Sequence, residues 1–105
     1  MAVIRNIKGD FYTIYKYDIA GSGAHRAIGI DLPVAAKLLS VKMQDGRITL
    51  WAAVDPDIKT ETRKFWVLGT GWGIPKGIAL VPLDTVIDAF GYVWHVFVEA
   101  DIDAR

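Results

Sequence analysis

The segment LLSVKMQDGRITLWAAVD, residues 38–55, constrains the fold of this chain more than any other part of its sequence. Hydrophobic and polar residues alternate on both sides of Asp45-Gly46, a dipeptide that tolerates the positive φ angles of a type I′ turn. A two-residue turn there predicts three hydrophobic pairs on one face: Met43 with Ile48, Val41 with Leu50 and Leu39 with Ala52. The turn-forming dipeptide and the alternation of hydrophobic and polar residues therefore both predict an antiparallel β-hairpin.

The rest of the chain shows the patterns and breaks of further short strands. They are FYTIYKYDI (11–19), HRAIGIDLP (25–33), ETRKFWVLG (61–69), VPLDTVIDAF (81–90) and YVWHVFVEA (92–100). No window shows a long 3.6-residue period, and residues 33–39 have room for one helical turn at most. We therefore predict a single all-β domain over residues 1–105, folded as a small antiparallel β-sandwich or partly closed barrel of six to seven short strands.

Composition and charge narrow the classes of function. The 105 residues include 12 basic and 12 acidic side chains, so the formal net charge is zero and attraction to nucleic acid is not expected. There is no cysteine, which excludes disulfides, thiolate nucleophiles and cysteine-bound metals. No uncharged run approaches the roughly 18 to 20 apolar residues of a membrane span, and we do not expect the charged N-terminal residues to act as a secretion signal. We expect a cytoplasmic protein that forms a homo-oligomer.

The loop GTGWGIPKG, residues 69–77, is rich in glycine but is not a phosphate-binding loop of either familiar kind. Pro75 precedes Lys76, no hydroxyl follows it, and the next residues are strand-like rather than helical. The candidate residues for binding a ligand or a partner here are Gly69, Gly71, Trp72, Gly73 and Lys76. An indole and a lysine suit a nucleotide-like ligand. The alternative is a long hairpin loop in which residues 75–77 form a type I turn and Trp72 covers apolar surface.

Two further tryptophans are candidates for a binding face. Trp51 lies on the otherwise polar side of the predicted hairpin, and Trp66 lies opposite Phe65 and Val67 on the next strand. If these strands pair after the loop at 55–60, both indoles share the face that points away from the core. Such a face needs a cover, either from a partner or from flanking segments of the same chain.

Catalytic and metal-binding patterns are weak. His95 lies within a strand, where we expect a hydrogen-bonded structural histidine, and His25 follows a glycine-rich stretch with no adjacent nucleophile. Asp55 and Asp57, with Glu61 beyond them, lack the ligand number of a calcium loop, and an Asx turn at Asp55 explains them equally well. We predict no catalytic residue, no metal and no cofactor.

Several motifs together resemble a known family. The run LPVAAKLLSVKMQDGRITLWAAVDP, followed by ETRKFWVLGTG and closing on VWHVFV, is similar to small uncharacterised bacteriophage and prophage proteins that carry a domain of unknown function. The distinctive pieces are Leu50-Trp51-Ala52, Val54-Asp55-Pro56 and Gly69-Thr70-Gly71. The resemblance implies a phage-encoded accessory protein and brings no activity, cofactor or catalytic residue with it.

These observations predict a non-enzymatic binding module that acts in the cytoplasm of the infected bacterial host. It would counteract host defence either by sequestering a nucleotide-like signal or by occluding a host defence protein, without binding nucleic acid or membrane. The alternative is a structural or assembly component of the virion. An enzyme built on Asp55, Glu61, Arg63 or His95 has no diagnostic spacing to support it.

Overall fold

The computed structural model describes residues 11–20 and 27–100, which form seven β-strands. The strands are β1 (Thr13–Ala20), β2 (Ile28–Pro33), β3 (Lys37–Gln44), β4 (Arg47–Val54), β5 (Thr60–Gly69), β6 (Leu80–Ile87) and β7 (Val93–Glu99). The described part of the chain contains no helix, and so none that is long and apolar enough to cross a membrane.

The strands form two antiparallel sheets that pack face to face. One sheet has the order β1-β4-β3 and the other β2-β5-β7-β6. The sheets remain separate instead of closing into a barrel, so the predicted all-β sandwich is confirmed. Between the edge strands β3 and β6, the Lys42 ammonium forms an ion pair with Asp84 at 3.3 Å.

The core lies between the sheets and follows the period-2 alternation of the central strands. Its fully buried side chains include Ile48, Leu50 and Val54 from β4, Phe65 and Val67 from β5, and Val96 from β7. Each such side chain contributes about 1.5–3 kcal/mol relative to leaving it exposed. The sandwich is therefore held mainly by β4 on one side and by β5 and β7 on the other.

The β3–β4 hairpin forms with the predicted turn and most of the predicted register. Asp45 and Gly46 have φ angles of 51° and 75°, as a type I′ turn requires. Met43 pairs with Ile48 and Val41 with Leu50, but the pairing of Leu39 with Ala52 is wrong. A bulge places Leu38 opposite Ala52 instead, and it leaves Leu39 exposed. Because Leu38 and Leu39 are both hydrophobic, the alternation does not show which of them faces the core.

The pairing considered for the two tryptophan-bearing strands does not form. Both sides of β4 are already paired, with β1 and β3, so β5 joins the other sheet between β2 and β7. Trp51 and Trp66 therefore lie on different sheets. The Trp66 indole Nε1 donates a hydrogen bond to the Glu99 carboxylate at 2.7 Å. Its hydrogen-bond partner therefore lies on β7, the neighbouring strand of the same sheet.

The glycine-rich segment between β5 and β6 is a crossover and not the hairpin loop considered from sequence. Strand β7 lies between β5 and β6, so residues 70–79 must pass along the sheet to reach the start of β6. Ile74 of this segment lies in a depression with Leu68, His95 and Phe97 on the outer face. The segment thus helps to cover Leu68, which is buried although its side chain points away from the core.

Candidate functional site

A groove of about 530 Å³ lies at one end of the four-stranded sheet, where the crossover begins. One wall comes from the end of β5 and its turn, with Gly69, Thr70 and Trp72. The other wall comes from the β6–β7 hairpin, residues 91–94. Three of its lining side chains are aromatic, namely Trp72, Tyr92 and Trp94, and we call it the aromatic groove.

The turn after β5 places Trp72 over the end of the strand. The Trp72 backbone N–H donates to the Gly69 carbonyl at 3.1 Å, and Gly71 between them has a φ of 89°. A Cβ atom on Gly69 would lie 2.9 Å from the Trp72 ring, so the missing side chain makes the space that the indole occupies. Because Gly69 pairs with Trp94, the Trp72 ring is placed against the Trp94 side chain.

The three rings of the groove meet at different angles. Trp72 and Trp94 pack edge to face, with ring centroids 5.6 Å apart and planes at 82°. Tyr92 and Trp94 are 6.5 Å apart and tilted by 52°. Trp94 is partly buried against the core, whereas Trp72 is 45% exposed and Tyr92 is 64% exposed. The groove therefore has a firmly anchored floor and two accessible aromatic walls.

The Asp88 carboxylate organises the hairpin that carries Tyr92 and Trp94. One oxygen accepts backbone N–H groups of Phe90 and Tyr92 at 2.8 and 3.0 Å, and the other accepts the Trp94 indole N–H at 3.0 Å. The bond from Trp94, with backbone N–H groups of Tyr92, Phe90 and Gly91, lowers the pKa of Asp88 against the opposing effect of burial. Asp88 thus supplies a negative charge next to the groove.

The same hairpin presents large hydrophobic side chains to solvent. Phe90 is 87% exposed and Ile87 is also exposed. Tyr92 and Trp72 are exposed as well, and both line the groove. We call these four side chains, Ile87, Phe90, Tyr92 and Trp72, the aromatic tip. An apolar patch of this kind commonly marks an interaction site in a small protein.

The residues proposed from sequence are only partly brought together. Gly69 and Trp72 line the aromatic groove, and Gly71 joins them in the neighbouring depression on the outer face. Gly73 and Lys76 are exposed and lie outside the lining of the groove. Trp51 is on the other sheet, and Trp66 is bonded to Glu99.

Sequence reasoning missed Tyr92, Trp94 and Asp88 as members of this site. The segment DAFGY, with its aspartate, glycine and aromatic residues, was the available signal, and Gly91 within it has a φ of 88°. The pairing of Gly69 with Trp94 is a contact between distant segments, and local patterns do not reveal it.

The other polar candidates have structural partners. His95 contacts the hydroxyls of Thr70 at 2.7 Å and Thr85 at 3.1 Å, so it ties the crossover to β6 and β7. The Asp55 carboxylate accepts the Asp57 backbone N–H at 3.0 Å, which is an Asx turn.

Within residues 11–20 and 27–100, no group of three or more histidine, aspartate or glutamate side chains is placed to hold a metal. His25, which was also considered from sequence, lies outside the described residues.

Comparison with known proteins places the chain in a family. No curated protein and no solved structure matches it. A family model described as Domain of unknown function (DUF7352) matches residues 12–104. This agrees with the uncharacterised family expected from the sequence. Because the match covers nearly the whole chain, this protein belongs to the DUF7352 family.

Proposed function

We propose that this protein is a small, non-enzymatic binding module of phage origin that counteracts host defence by occluding a host protein with its aromatic tip. The observation that carries the proposal is the exposure of Ile87, Phe90, Tyr92 and Trp72 together at one end of the sandwich. Aromatic side chains are enriched at the energetic centres of protein interfaces. A tip that offers several of them is suited to a protein partner.

The tip is also held in a defined shape before any partner arrives. Asp88 fixes the hairpin through two backbone N–H groups and the Trp94 indole. Gly69 makes room for Trp72 to pack against Trp94. A preorganised surface loses less conformational entropy on binding than a mobile loop, so more of its contact energy appears as affinity.

Charge favours a protein partner over a phosphorylated ligand. None of the described residues that line the aromatic groove carries a positive charge, and Asp88 places a carboxylate beside Trp94. Lys76, the cation expected to meet a phosphate, lies outside the lining. A phosphate group brought to this groove would therefore meet repulsion from Asp88 without a compensating lysine or arginine of the lining.

Sequestration of a nucleotide-like signal is the second candidate, and the geometry of Trp72 favours it. The exposed indole lies over a groove of about 530 Å³, which is within the usual range of small-molecule sites. A nucleobase can stack on an indole without sequence preference. In this version the phosphates stay in solvent or meet a cation from a second copy.

A plating experiment tests the anti-defence role. Bacteria that carry single defence systems would express the wild-type protein, Tyr92→Ser or Ile14→Ser during infection by a phage that the system restricts. Tyr92 and Ile14 are both 64% exposed, so the two variants remove equally accessible hydrophobic groups at the tip and on β1. We expect wild type and Ile14→Ser to restore plating against at least one system, and Tyr92→Ser to fail.

Two results would contradict this proposal. One is a Tyr92→Ser variant that protects the phage as well as wild type does, and the other is the absence of rescue against every system tested. Mass spectrometry of purified particles separates the virion alternative, because a structural component would be present in them in stoichiometric amounts. For the nucleotide version, a panel of cyclic and linear nucleotides should raise the melting temperature of wild type and not of Trp72→Ala.

A further inference from the structure

We infer that the aromatic groove receives an arginine side chain of the partner protein, with the guanidinium on the indole and phenol faces and its charge opposite Asp88. The inference rests on the proposed function, since it names the chemistry by which the tip recognises its partner. Two features carry it independently: the arrangement of the three rings and the sign of the charge around them.

The three rings of the groove are inclined to one another. Trp72 is nearly perpendicular to Trp94, and Tyr92 is tilted between a parallel and a perpendicular arrangement. A cation is attracted to the electron-rich face of an aromatic ring, and tryptophan is the strongest of these rings. Mutually inclined aromatic walls are the arrangement that cationic groups use in proteins, because one ligand can contact several faces at once.

Charge complementarity reinforces the geometry. Among the residues that the structure describes, those lining the groove include no cation, and the Asp88 carboxylate lies at the edge of the Trp94 indole, whose N–H it accepts at 3.0 Å. This charge-assisted bond polarises the indole and adds electron density to its ring face. One oxygen of Asp88 serves two backbone N–H groups, whereas the other has a lone pair beyond the Trp94 bond.

Arginine suits the groove better than lysine does. The guanidinium is planar, so it can stack on a ring face while its edge donates hydrogen bonds to a carboxylate. It is also less strongly hydrated than an ammonium group and loses less on leaving water. A groove with aromatic walls and the Asp88 carboxylate beside its Trp94 therefore selects the flat cation.

Three short peptides test the inference with the full chain: acetyl-Gly-Arg-Gly-amide, and the same peptide with lysine or citrulline in the centre. Citrulline has nearly the shape of arginine without its charge. Binding is followed by NMR through the indole N–H signals, which report each tryptophan separately. We expect the arginine peptide to bind roughly five- to thirtyfold more tightly than the citrulline peptide, the range of a partly desolvated cation on aromatic rings. The shifts should appear at Trp72 and Trp94.

Two variants separate charge from folding. Asp88→Asn should reduce the preference for arginine over citrulline to less than about twofold, while Asp84→Asn should preserve it, since Asp84 pairs with Lys42 away from the groove. Trp94→Phe keeps a ring and the Asp88 charge but removes the indole donor. It should therefore keep a preference for arginine even if Asp88→Asn disorders the hairpin.

Equal binding of arginine and citrulline peptides to wild type would overturn the inference, as would shifts confined to Trp51 and Trp66. The peptide experiment tests the arginine inference and the plating experiment tests the anti-defence role, so a negative result in one can be told apart from a negative result in the other. If Tyr92→Ser abolishes rescue but the peptides show no charge preference, the tip binds its partner through another group. If arginine is preferred but no defence system is overcome, the chemistry of the groove stands and the anti-defence role is wrong.

Discussion

Two hairpins of the described structure each have an aspartate and a glycine in the turn, yet they present different surfaces. The β3–β4 turn uses Asp45 and Gly46, and the β6–β7 turn uses Asp88 and Gly91, with glycine φ angles of 75° and 88°. The first is flanked by polar contacts: Lys16 to Gln44 at 2.7 Å and Arg47 to Asp18 at 2.6 Å. The second presents exposed hydrophobic side chains.

The difference shows what each aspartate does. In the β3–β4 turn Asp45 itself adopts a positive φ, so two residues suffice to reverse the chain. In the β6–β7 turn the Asp88 side chain accepts backbone N–H groups inside a wider loop and holds it in place. The wider loop leaves Phe90 pointing outward. The first hairpin thus only reverses the chain between two paired strands, whereas the second also exposes hydrophobic side chains to solvent.

The largest effect should come from the core side of the first hairpin. Leu50 is fully buried, so Leu50→Ala should lower the free energy of unfolding by about 3 kcal/mol through lost burial and a residual cavity. Phe90→Ala at the tip of the second hairpin should change it by less than about 0.5 kcal/mol, since the ring is 87% exposed. Urea denaturation measures both, and equal losses would mean that the tip is also part of the stabilising core.

The turn glycines should show a smaller and similar effect. Gly46→Ala and Gly91→Ala each put a Cβ on a residue with positive φ, which should reduce stability by about 1 kcal/mol. Apart from the adjacent residues, no atom of the described chain lies within 4 Å of either Cβ position, so the substitutions test backbone strain. Unchanged urea midpoints would show that the turns relax at little cost. A loss for Gly91 alone would show that the wider loop is the less adaptable one.

Gly69 tests how Trp72 is held beside the second hairpin. In Gly69→Ala the new Cβ would lie 2.9 Å from Trp72, and this half-exposed ring should swing away with a stability loss below about 1 kcal/mol. The edge contact with Trp94 should then be lost, which near-ultraviolet circular dichroism detects. Gly73→Ala is the matched control, because nothing lies within 4 Å of its Cβ position. Identical spectra for the two variants would mean that Trp72 does not depend on Gly69.

The smallest expected effect is a pH dependence of the second hairpin. Because hydrogen bonds lower the pKa of Asp88 in the folded state, ionised Asp88 stabilises the protein above the ordinary carboxyl pKa of about 4, and this contribution is lost as pH falls through the folded pKa. The stability difference between wild type and Asp88→Asn should therefore shrink from pH 6 towards pH 3 in urea titrations. A difference that stays constant over this range would show that the charge of Asp88 is not involved.

Much of the fold follows from local physics. The β3–β4 register near the turn is predictable because a type I′ turn at Asp45-Gly46 and the period-2 alternation impose the same pairing. The Asx turn at Asp55 is also local, since its hydrogen bond joins neighbouring residues. The bulge at Leu39 could not be predicted in this way, because either of the adjacent leucines, Leu38 or Leu39, fits the alternation of hydrophobic and polar residues.

The candidate site depends on contacts that no local pattern encodes. By itself the sequence determined an all-β chain, its hairpins and the candidacy of Trp72, because turn preference and alternation act over a few residues. Only the tertiary structure decided that β4 lies between β1 and β3, which separates Trp51 from Trp66. Likewise, only the order β5-β7-β6 brings Trp72 against Trp94, with Asp88 behind it. Which strands pair depends on how much apolar surface the two complete sheets bury against each other. This free energy depends on all the strands together, so the sequence of one strand does not determine its partner.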